Sequence, residues 1–174
     1  MSAKFYNELK QNLPTSNWDI RKNWAQKIVN QNIELQSLFP LLKENEKVAS
    51  RFLWLLSDVA DVSQLSLFAE LPYLLKLSDE IDHVNMKVSF TRFWQLMGVP
   101  EENESQAIDM LFGYLNSSEI QVTQKSRALF VLFDLTKKYP ALKNELKECL
   151  FIQRDKNTAD FKRRVDKILS KLEV

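Results

Sequence analysis

The sequence predicts an all-α fold, and three observations support this prediction. The 174 residues include only two glycines and five prolines, and neither glycine follows an asparagine or an aspartate. Tight β-hairpin turns use Asn-Gly and Asp-Gly pairs, so the chain has few means of reversing a strand. Apolar residues recur at spacings of three and four along most of the chain, as in amphipathic helices. Hydrophobic residues at 45% and charged residues at 27% are ordinary values for a globular domain.

Features that would indicate secretion or membrane insertion are missing from the sequence. The N-terminal segment MSAKFYNELKQNLP lacks the apolar stretch and small-residue cleavage site of a signal peptide. No uncharged run approaches the ~18 apolar residues that a membrane span needs. The single cysteine, Cys149, has no second cysteine for an internal disulfide, which fits a reducing compartment. We therefore expect a cytoplasmic protein without a membrane segment.

The segment 119–146 contains six uncharged residues in a row and predicts a helix that is buried on more than one side. At 100° per residue, one apolar sector collects Val122, Ser126, Leu129, Phe130 and Phe133. Leu132 and Leu135 lie outside that sector, while Gln124 and Lys125 mark the wetter side. A helix that is apolar on two flanks sits between neighbouring helices.

Similar apolar stripes recur along the chain in pairs of helices. Three stripes belong to second helices of such pairs: Ile20, Trp24 and Ile28; Val48, Phe52, Leu55, Leu56 and Val59; and Met86, Phe90, Phe93, Trp94 and Met97. The valines that open second helices, Val48, Val88 and Val122, are 40 and 34 residues apart. This period is typical of an α-solenoid, in which each helix pair buries its apolar face against its neighbours.

We therefore expect about eight helices in a single solenoid domain over residues 1–174. The last helix, residues 158–174, is predicted to cap the stack. Its buried stripe would consist of Phe161, Val165, Ile168 and Leu172, at spacings of four, three and four.

One segment, NSSEIQVTQKSRALFVLFDLTKKYPAL, resembles a HEAT repeat. It has a polar turn, a valine that opens the second helix, and Pro140 ahead of the next unit. Arg21, after Ile20, is similar to the basic residue that often follows that aliphatic position in the family, although Ala49, Ser89 and Thr123 stand there in later units. The resemblance covers about residues 17–172. It implies a right-handed superhelix of helix pairs and, for most of the family, protein binding rather than catalysis.

Residue types that could support catalysis or metal binding are scarce. His83 is the only histidine and lies in the charged turn SDEIDHVN, where a solvated loop residue is the ordinary interpretation. A nucleophilic site would need a third group to position it. One cysteine and one histidine are too few ligands for a zinc site, and Cys149 is expected to pack as a small apolar residue. No phosphate-binding or common hydrolase motif occurs. We expect no catalytic residues, no metal and no cofactor.

The tryptophans divide into core residues and one candidate for binding. Trp24 and Trp94 fall on the apolar sectors of their helices, so we expect them to pack in the core. Trp54 lies about 100° off its stripe, beside Arg51 and Asp58 at spacings of three and four. The HEAT resemblance places second helices on the concave face, where these three residues would bind a protein segment. The ordinary alternative is that Trp54 packs against an adjacent second helix.

Charge is unevenly distributed along the sequence. The net charge is +3 over residues 1–43, −8 over 44–119 and +6 over 120–174. The last helix carries a basic patch, Lys162, Arg163, Arg164 and Lys167, which suits a polar cap and a helix C-terminus. The sequence thus predicts a non-enzymatic scaffold that binds a protein segment on its concave face. The alternative is a nucleic-acid-binding protein related to the alkylpurine DNA glycosylases, which the acidic middle segment disfavours.

Overall fold

The computed structural model describes residues 2–172, and this part of the chain is 84% helical and contains no strand. The predicted all-α class is confirmed. The described residues form ten α-helices and five short 3-10 segments, more than the eight or so helices expected. The chain divides into two compact units, one ending at Pro100 and the other beginning at Glu101. We call them the N-terminal unit and the C-terminal unit. The single solenoid domain stays a prediction.

The N-terminal unit contains six α-helices: α1 Ser2–Asn12, α2 Trp18–Asn30, α3 Glu46–Val62, α4 Gln64–Phe68, α5 Leu71–Leu77 and α6 Val84–Met97. Its 3-10 segments are Leu13–Thr15, Leu35–Lys43 and Ser78–Glu80. Helix α3 is central because it packs against α2, α6 and the segment Leu35–Lys43. The predicted stripe on α3 is confirmed, since Val48, Phe52, Leu55, Leu56 and Val59 are all buried.

Two proline-containing segments of the N-terminal unit do not form the long first helices that the repeat pattern suggests. The segment Leu35–Lys43 is a 3-10 helix with Pro40 inside it. A proline inside an α-helix removes one backbone hydrogen bond and clashes with the preceding turn, which favours the tighter form here. The next segment is divided into α4 and α5, with Pro72 in the first turn of α5. The apolar residues of Leu35–Lys43 are nevertheless buried.

Helix α6 begins at Val84, which is one turn before Val88, the residue at which the repeat pattern predicted its start. The side chain of His83 caps the helix by accepting a hydrogen bond from the backbone N–H of Asn85 at 3.1 Å. Val88 is only partly buried, whereas Met86, Phe90, Phe93 and Trp94 are buried, which confirms the register based on the aromatic residues.

Helices α3 and α6 run in the same direction. Ser50 accepts a hydrogen bond from Asn85 at 3.3 Å, and Asp61 lies 3.9 Å from Arg92. Residue numbers therefore rise together along the two packed helices. This is the relation expected between second helices of consecutive pairs.

The C-terminal unit contains α7 Glu104–Asn116, α8 Val122–Lys138, α9 Leu142–Gln153 and α10 Ala159–Leu172, with 3-10 segments Glu101–Asn103 and Arg154–Lys156. Glu104 at the start of α7 contacts Lys138 at the end of α8, so these two helices are antiparallel. Asn116 at the end of α7 contacts Gln153 at the end of α9, so these two run in the same direction. The unit is therefore built from helical hairpins that pack side by side.

Helix α10 occupies Ala159–Leu172 of the predicted capping segment, and the predicted apolar stripe lies on its buried side. Phe161, Val165, Ile168 and Leu172 are buried, and Leu169 joins them. They cover α8 and α9, against which α10 packs. The last two residues of the predicted 158–174 helix lie outside the described residues.

Two residues lie on the opposite side of their helix from the one predicted. Ile20 is 41% exposed, and Arg21 takes the buried position beside Trp24 and Ile28 instead. Lys125 was expected on the wetter side of α8 but is buried, and this burial lowers the pKa of its ammonium group. Helix α8 packs against α7, α9 and α10, so even a polar position on it is covered.

Within residues 2–172, no helix has the length and apolarity that a bilayer span needs.

Candidate functional site

Trp54 projects from α3 with half of its surface exposed, and two cations lie over its ring. The side chain is 52% exposed, although most large apolar residues of the N-terminal unit are buried. The guanidinium of Arg51, three residues earlier on α3, lies 4.4 Å from the ring centroid. The guanidinium of Arg21, from α2, lies 5.2 Å from it. Trp54 thus contacts the neighbouring second helix, α2, through Arg21, while half of its side chain stays exposed.

The third predicted site residue, Asp58, is held by Arg21 beneath this ring. The Nε of Arg21 donates to the Asp58 carboxylate at 2.8 Å, and the two side chains are only 8% and 12% exposed. Burial raises the pKa of Asp58, and this effect outweighs the hydrogen bond and charge of Arg21, which lower it. Asp58 therefore positions Arg21 under the indole and is not itself an exposed contact residue.

A second exposed indole lies one turn before Arg21 on α2. Trp18 is 56% exposed, and the ammonium of Lys22 lies 4.8 Å from its ring centroid. Trp18 and Arg21 are three residues apart and therefore share a helix face. Arg21 also reaches Trp54, so we group the two exposed indoles and their cations as one candidate surface. We call Trp18, Arg21, Lys22, Arg51 and Trp54 together the tryptophan surface.

The sequence identified two of these five residues as site candidates, Arg51 and Trp54. Arg21 was noted only as a family-like basic residue, because its reach to α3 depends on how the two helices pack. Trp18 and Lys22 carry a readable signal, an aromatic residue followed four residues later by a lysine. That pattern alone does not say whether the indole is exposed. Exposed indoles with neighbouring cations are the residue types that dominate binding energy at protein interfaces.

The predicted basic patch on α10 is largely neutralised by acids close to it. Lys162 pairs with Asp155 at 2.6 Å, while Arg163 and Arg164 both pair with Asp160, at 3.1 and 2.7 Å. The pKa of Asp160 falls below its ordinary value because Arg164 donates a hydrogen bond to it. Within the described part of the chain, Lys167 has no ion-pair partner. This arrangement gives a polar, ion-paired outer face.

The uneven charge along the sequence disappears when it is counted by folded unit. Residues 1–100 carry eleven basic and eleven acidic side chains, and residues 101–174 carry 13 basic and 12 acidic ones. The boundary at Pro100 divides the acidic segment 44–119, so that each unit contains a part of it. Neither unit has the strong positive bias of a duplex-binding protein.

His83 lies 3.2 Å from the hydroxyl of Ser50, but the pair cannot work as a nucleophile and its base. The Nδ1 of His83 accepts a hydrogen bond from the Asn85 backbone N–H, so in the neutral ring the proton is on Nε2. Nε2 faces Ser50 and therefore donates to it, whereas a general base must accept the serine proton there. His83 is thus a partly exposed residue of the loop before α6, as expected, and it also caps that helix.

An open cleft of about 580 Å³ lies beside His83, between the end of the segment Leu35–Lys43 and the start of α6. Its acidic lining is partly engaged already, since Glu44 pairs with Lys10 at 2.7 Å and Glu80 pairs with Lys43 at 3.2 Å. No group of three or more metal-binding side chains occurs in residues 2–172. The described residues of the cleft therefore do not form such a metal-binding group.

Cys149 behaves as predicted for a small packed residue. It is buried, and its thiol donates to the Asn116 side chain at 3.4 Å. Burial raises the pKa of this thiol to about 11. A thiol with that pKa is protonated near neutral pH and is a poor nucleophile.

Comparison of the chain with family models, with curated proteins and with solved structures found no match in any of the three. The resemblance to HEAT repeats therefore stays a prediction. The site has to be interpreted from its own geometry.

Proposed function

We propose that this protein is a small, non-enzymatic HEAT-like scaffold that binds a protein segment on the face of its second helices. The observation that supports this most is Trp54, half exposed between the guanidinium groups of Arg21 and Arg51. A large indole costs little rotamer entropy when it is ordered, and a buried ion pair already fixes one of its cations. Such a preordered aromatic residue suits an interface anchor.

The spacing of the helices supports the HEAT-like part of the proposal. The second helices α3, α6, α8 and α10 begin at residues 46, 84, 122 and 159, at intervals of 38, 38 and 37. This period is more regular than the one taken from the valines and lies in the range of helix-pair repeats. Within the units, α3 and α6 run in the same direction, as do α7 and α9. A right-handed superhelix would follow if successive pairs stack in the same manner.

The nucleic-acid alternative has less support. The basic patch on α10 pairs with acids, and both units are close to neutral. A duplex-binding surface needs several free cations, because phosphate neutralisation provides most of the affinity. We expect no binding to duplex DNA at physiological salt and no base excision from alkylated duplex.

Affinity capture from an extract of the source cells tests the proposal. The wild-type protein and a Leu65→Ala control, which changes an 81% exposed residue on α4, should retain the same partner. Trp54→Ala and Arg51→Ala should lose it while their circular dichroism and melting stay unchanged, because neither side chain is part of the core. Retention of every partner by Trp54→Ala would argue against this surface. Base excision by the purified protein would argue for the glycosylase-like alternative.

A further inference from the structure

The tryptophan surface combines exposed aromatic area with two cations, Arg51 and Lys22, that have no acidic partner in the described residues. Among residues 2–172, no carboxylate lies within ion-pair distance of Arg51 or Lys22. Arg51 lies over the Trp54 ring, and Lys22 lies over the Trp18 ring. Elsewhere the chain pairs many of its cations with acids, as in α10. We propose that the occupant of this surface is a carboxylate-rich protein segment that also places an aromatic or aliphatic side chain on Trp54. This inference rests on the proposed function and adds the chemistry of the partner.

Arg51 is the residue expected to take the first carboxylate. Its guanidinium carbon lies 4.4 Å from the centroid of the Trp54 ring. A guanidinium that stacks on an aromatic ring keeps the donors at its edge able to reach a ligand. A guanidinium presents those donors as a fork that matches the two oxygens of a carboxylate. Lys47 is exposed one turn earlier on α3 and continues the cationic edge. An acidic segment running along α3 would meet these two cations in succession.

The second indole extends the same chemistry onto α2. Lys22 lies over Trp18, so this indole also presents aromatic surface beside a cation without an acidic partner in the described residues. Arg21 contacts the Trp54 ring, and its Nε already donates a hydrogen bond to Asp58. The surface therefore offers two aromatic contacts and separate cations at its edges. It suits a segment in which acidic and apolar side chains alternate.

A peptide fits this surface better than a nucleic acid does. The cations are few, and Asp58 and Asp61 lie further along α3, where Asp61 is exposed beside Arg92. A nucleic acid brings one phosphate with every nucleotide and would place some of them next to these carboxylates. A peptide can place carboxylates only where the cations are. The neutral balance of residues 1–100 points the same way.

Selection from a random peptide library tests the inference with the full-length protein. Peptides retained by the wild-type protein should be enriched in Asp and Glu together with Phe, Tyr, Trp or Leu. The same selection on Arg51→Glu should lose or reverse the acidic bias. Lys76→Glu makes the same charge change at an exposed lysine on α5 and should select the same acidic peptides as the wild type. Circular dichroism establishes that all variants are folded.

A selected acidic peptide, labelled with a fluorophore, then gives affinities by anisotropy. Trp54→Ala should weaken its binding roughly tenfold or more, as for an interface anchor, while Leu65→Ala should leave it within about twofold. Higher salt should weaken binding to the wild type and have less effect on Arg51→Glu. Single-stranded oligothymidylate serves as the nucleic-acid probe and should not bind at physiological salt.

The possible outcomes separate the inference from the proposed function. Enriched peptides that depend on Trp54 but show no acidic bias would overturn the acidic partner and leave the interaction surface standing. Selection without any dependence on Trp54 would overturn both. Tight, Trp54-dependent binding of oligothymidylate would assign the surface to nucleic acid instead.

Discussion

Arg51 and Lys22 in the N-terminal unit lie over exposed indole rings, whereas Arg163 and Arg164 in the C-terminal unit pair with Asp160 on their own helix. Both units carry similar numbers of charges and both contain ion pairs, but these two sets of cations differ in their acidic partners. Cations that pair at three- and four-residue spacing on one helix contribute little energy and keep a surface polar. Cations without acids beside exposed aromatic rings retain their capacity to bind a ligand. The local partner of a charge, and not the net charge, thus distinguishes the ion-paired face of α10 from the proposed binding surface.

The interiors of the units differ as well. The N-terminal unit packs aromatic rings together, with the Phe90 and Phe93 centroids 5.6 Å apart in an edge-to-face pair and Trp94 5.2 Å from Phe90. In the C-terminal unit, the apolar stripe of α10 packs against α8 and α9, and a carboxylate connects the two helices of the α7–α8 hairpin. There the buried Glu104 accepts hydrogen bonds from Lys138 at 2.8 Å and from Tyr139 at 2.5 Å.

The largest expected effect is the loss of the C-terminal cap. A chain that ends before Thr158 would expose the surfaces of α8 and α9 that α10 covers. It would also lose five buried apolar side chains, at about 1.5–3 kcal/mol each. That sum is comparable to the whole stability of a typical domain, so we expect aggregation or the loss of cooperative melting. A truncated chain that stayed monomeric and melted normally would show that α10 is a dispensable tail.

Breaking the buried ion pair of the N-terminal unit should have the next largest effect. Arg21→Ala leaves the Asp58 carboxylate largely buried without its partner, which typically costs about 3–5 kcal/mol. Urea denaturation measures this loss. The double variant Arg21→Met, Asp58→Leu removes both charges and should recover most of the stability. If the double variant were as unstable as Arg21→Ala, the loss would come from packing and not from the unpaired charge.

Acid should act in opposite directions through one largely buried carboxylate of each unit, Glu104 and Asp58. The pKa of Glu104 is lowered, because hydrogen bonds from Lys138 and Tyr139 outweigh the burial that raises it. Its stabilisation is present above the unfolded pKa and is lost as the pH falls through the folded pKa. The raised pKa of Asp58 has the reverse sign, so protonation there favours the folded state.

Amide hydrogen exchange measures this difference. Acidification to about pH 3, below the ordinary pKa values of Asp and Glu, should weaken protection in α7 and α8 before it does so in α2 and α3. Glu104→Gln should make this response smaller, since it removes the group that titrates. Earlier loss of protection in α2 and α3 would contradict the assignment of signs.

The smallest expected effect is at the exposed end of the basic patch. Arg163→Glu replaces one member of an exposed pair with Asp160 and should change the free energy of unfolding by about 0.5 kcal/mol or less. It should also leave peptide binding unchanged, because the partner is expected on the tryptophan surface. A clear loss of peptide binding in Arg163→Glu would extend the interaction surface to α10.

The sequence by itself determined the all-α class, the buried stripes of α3, α6 and α10, and the core positions of Trp24 and Trp94. These features depend on residue spacing within one helix, where a period of 3.6 residues fixes which side chains share a face. The same reasoning identified Arg51 and Trp54 as candidates, because both lie off the apolar stripe of α3.

Only the tertiary structure decided which polar positions are covered and which aromatic ones are exposed. Lys125 is buried because α8 packs against three other helices, and Ile20 is exposed because Arg21 turns inward to reach Asp58. Arg21, Trp54 and Asp58 meet across 37 positions of sequence, from residue 21 to residue 58, and their contact depends on how α2 lies on α3. Spacing within one helix contains no information about the neighbouring helix, so this part of the site required the packed structure.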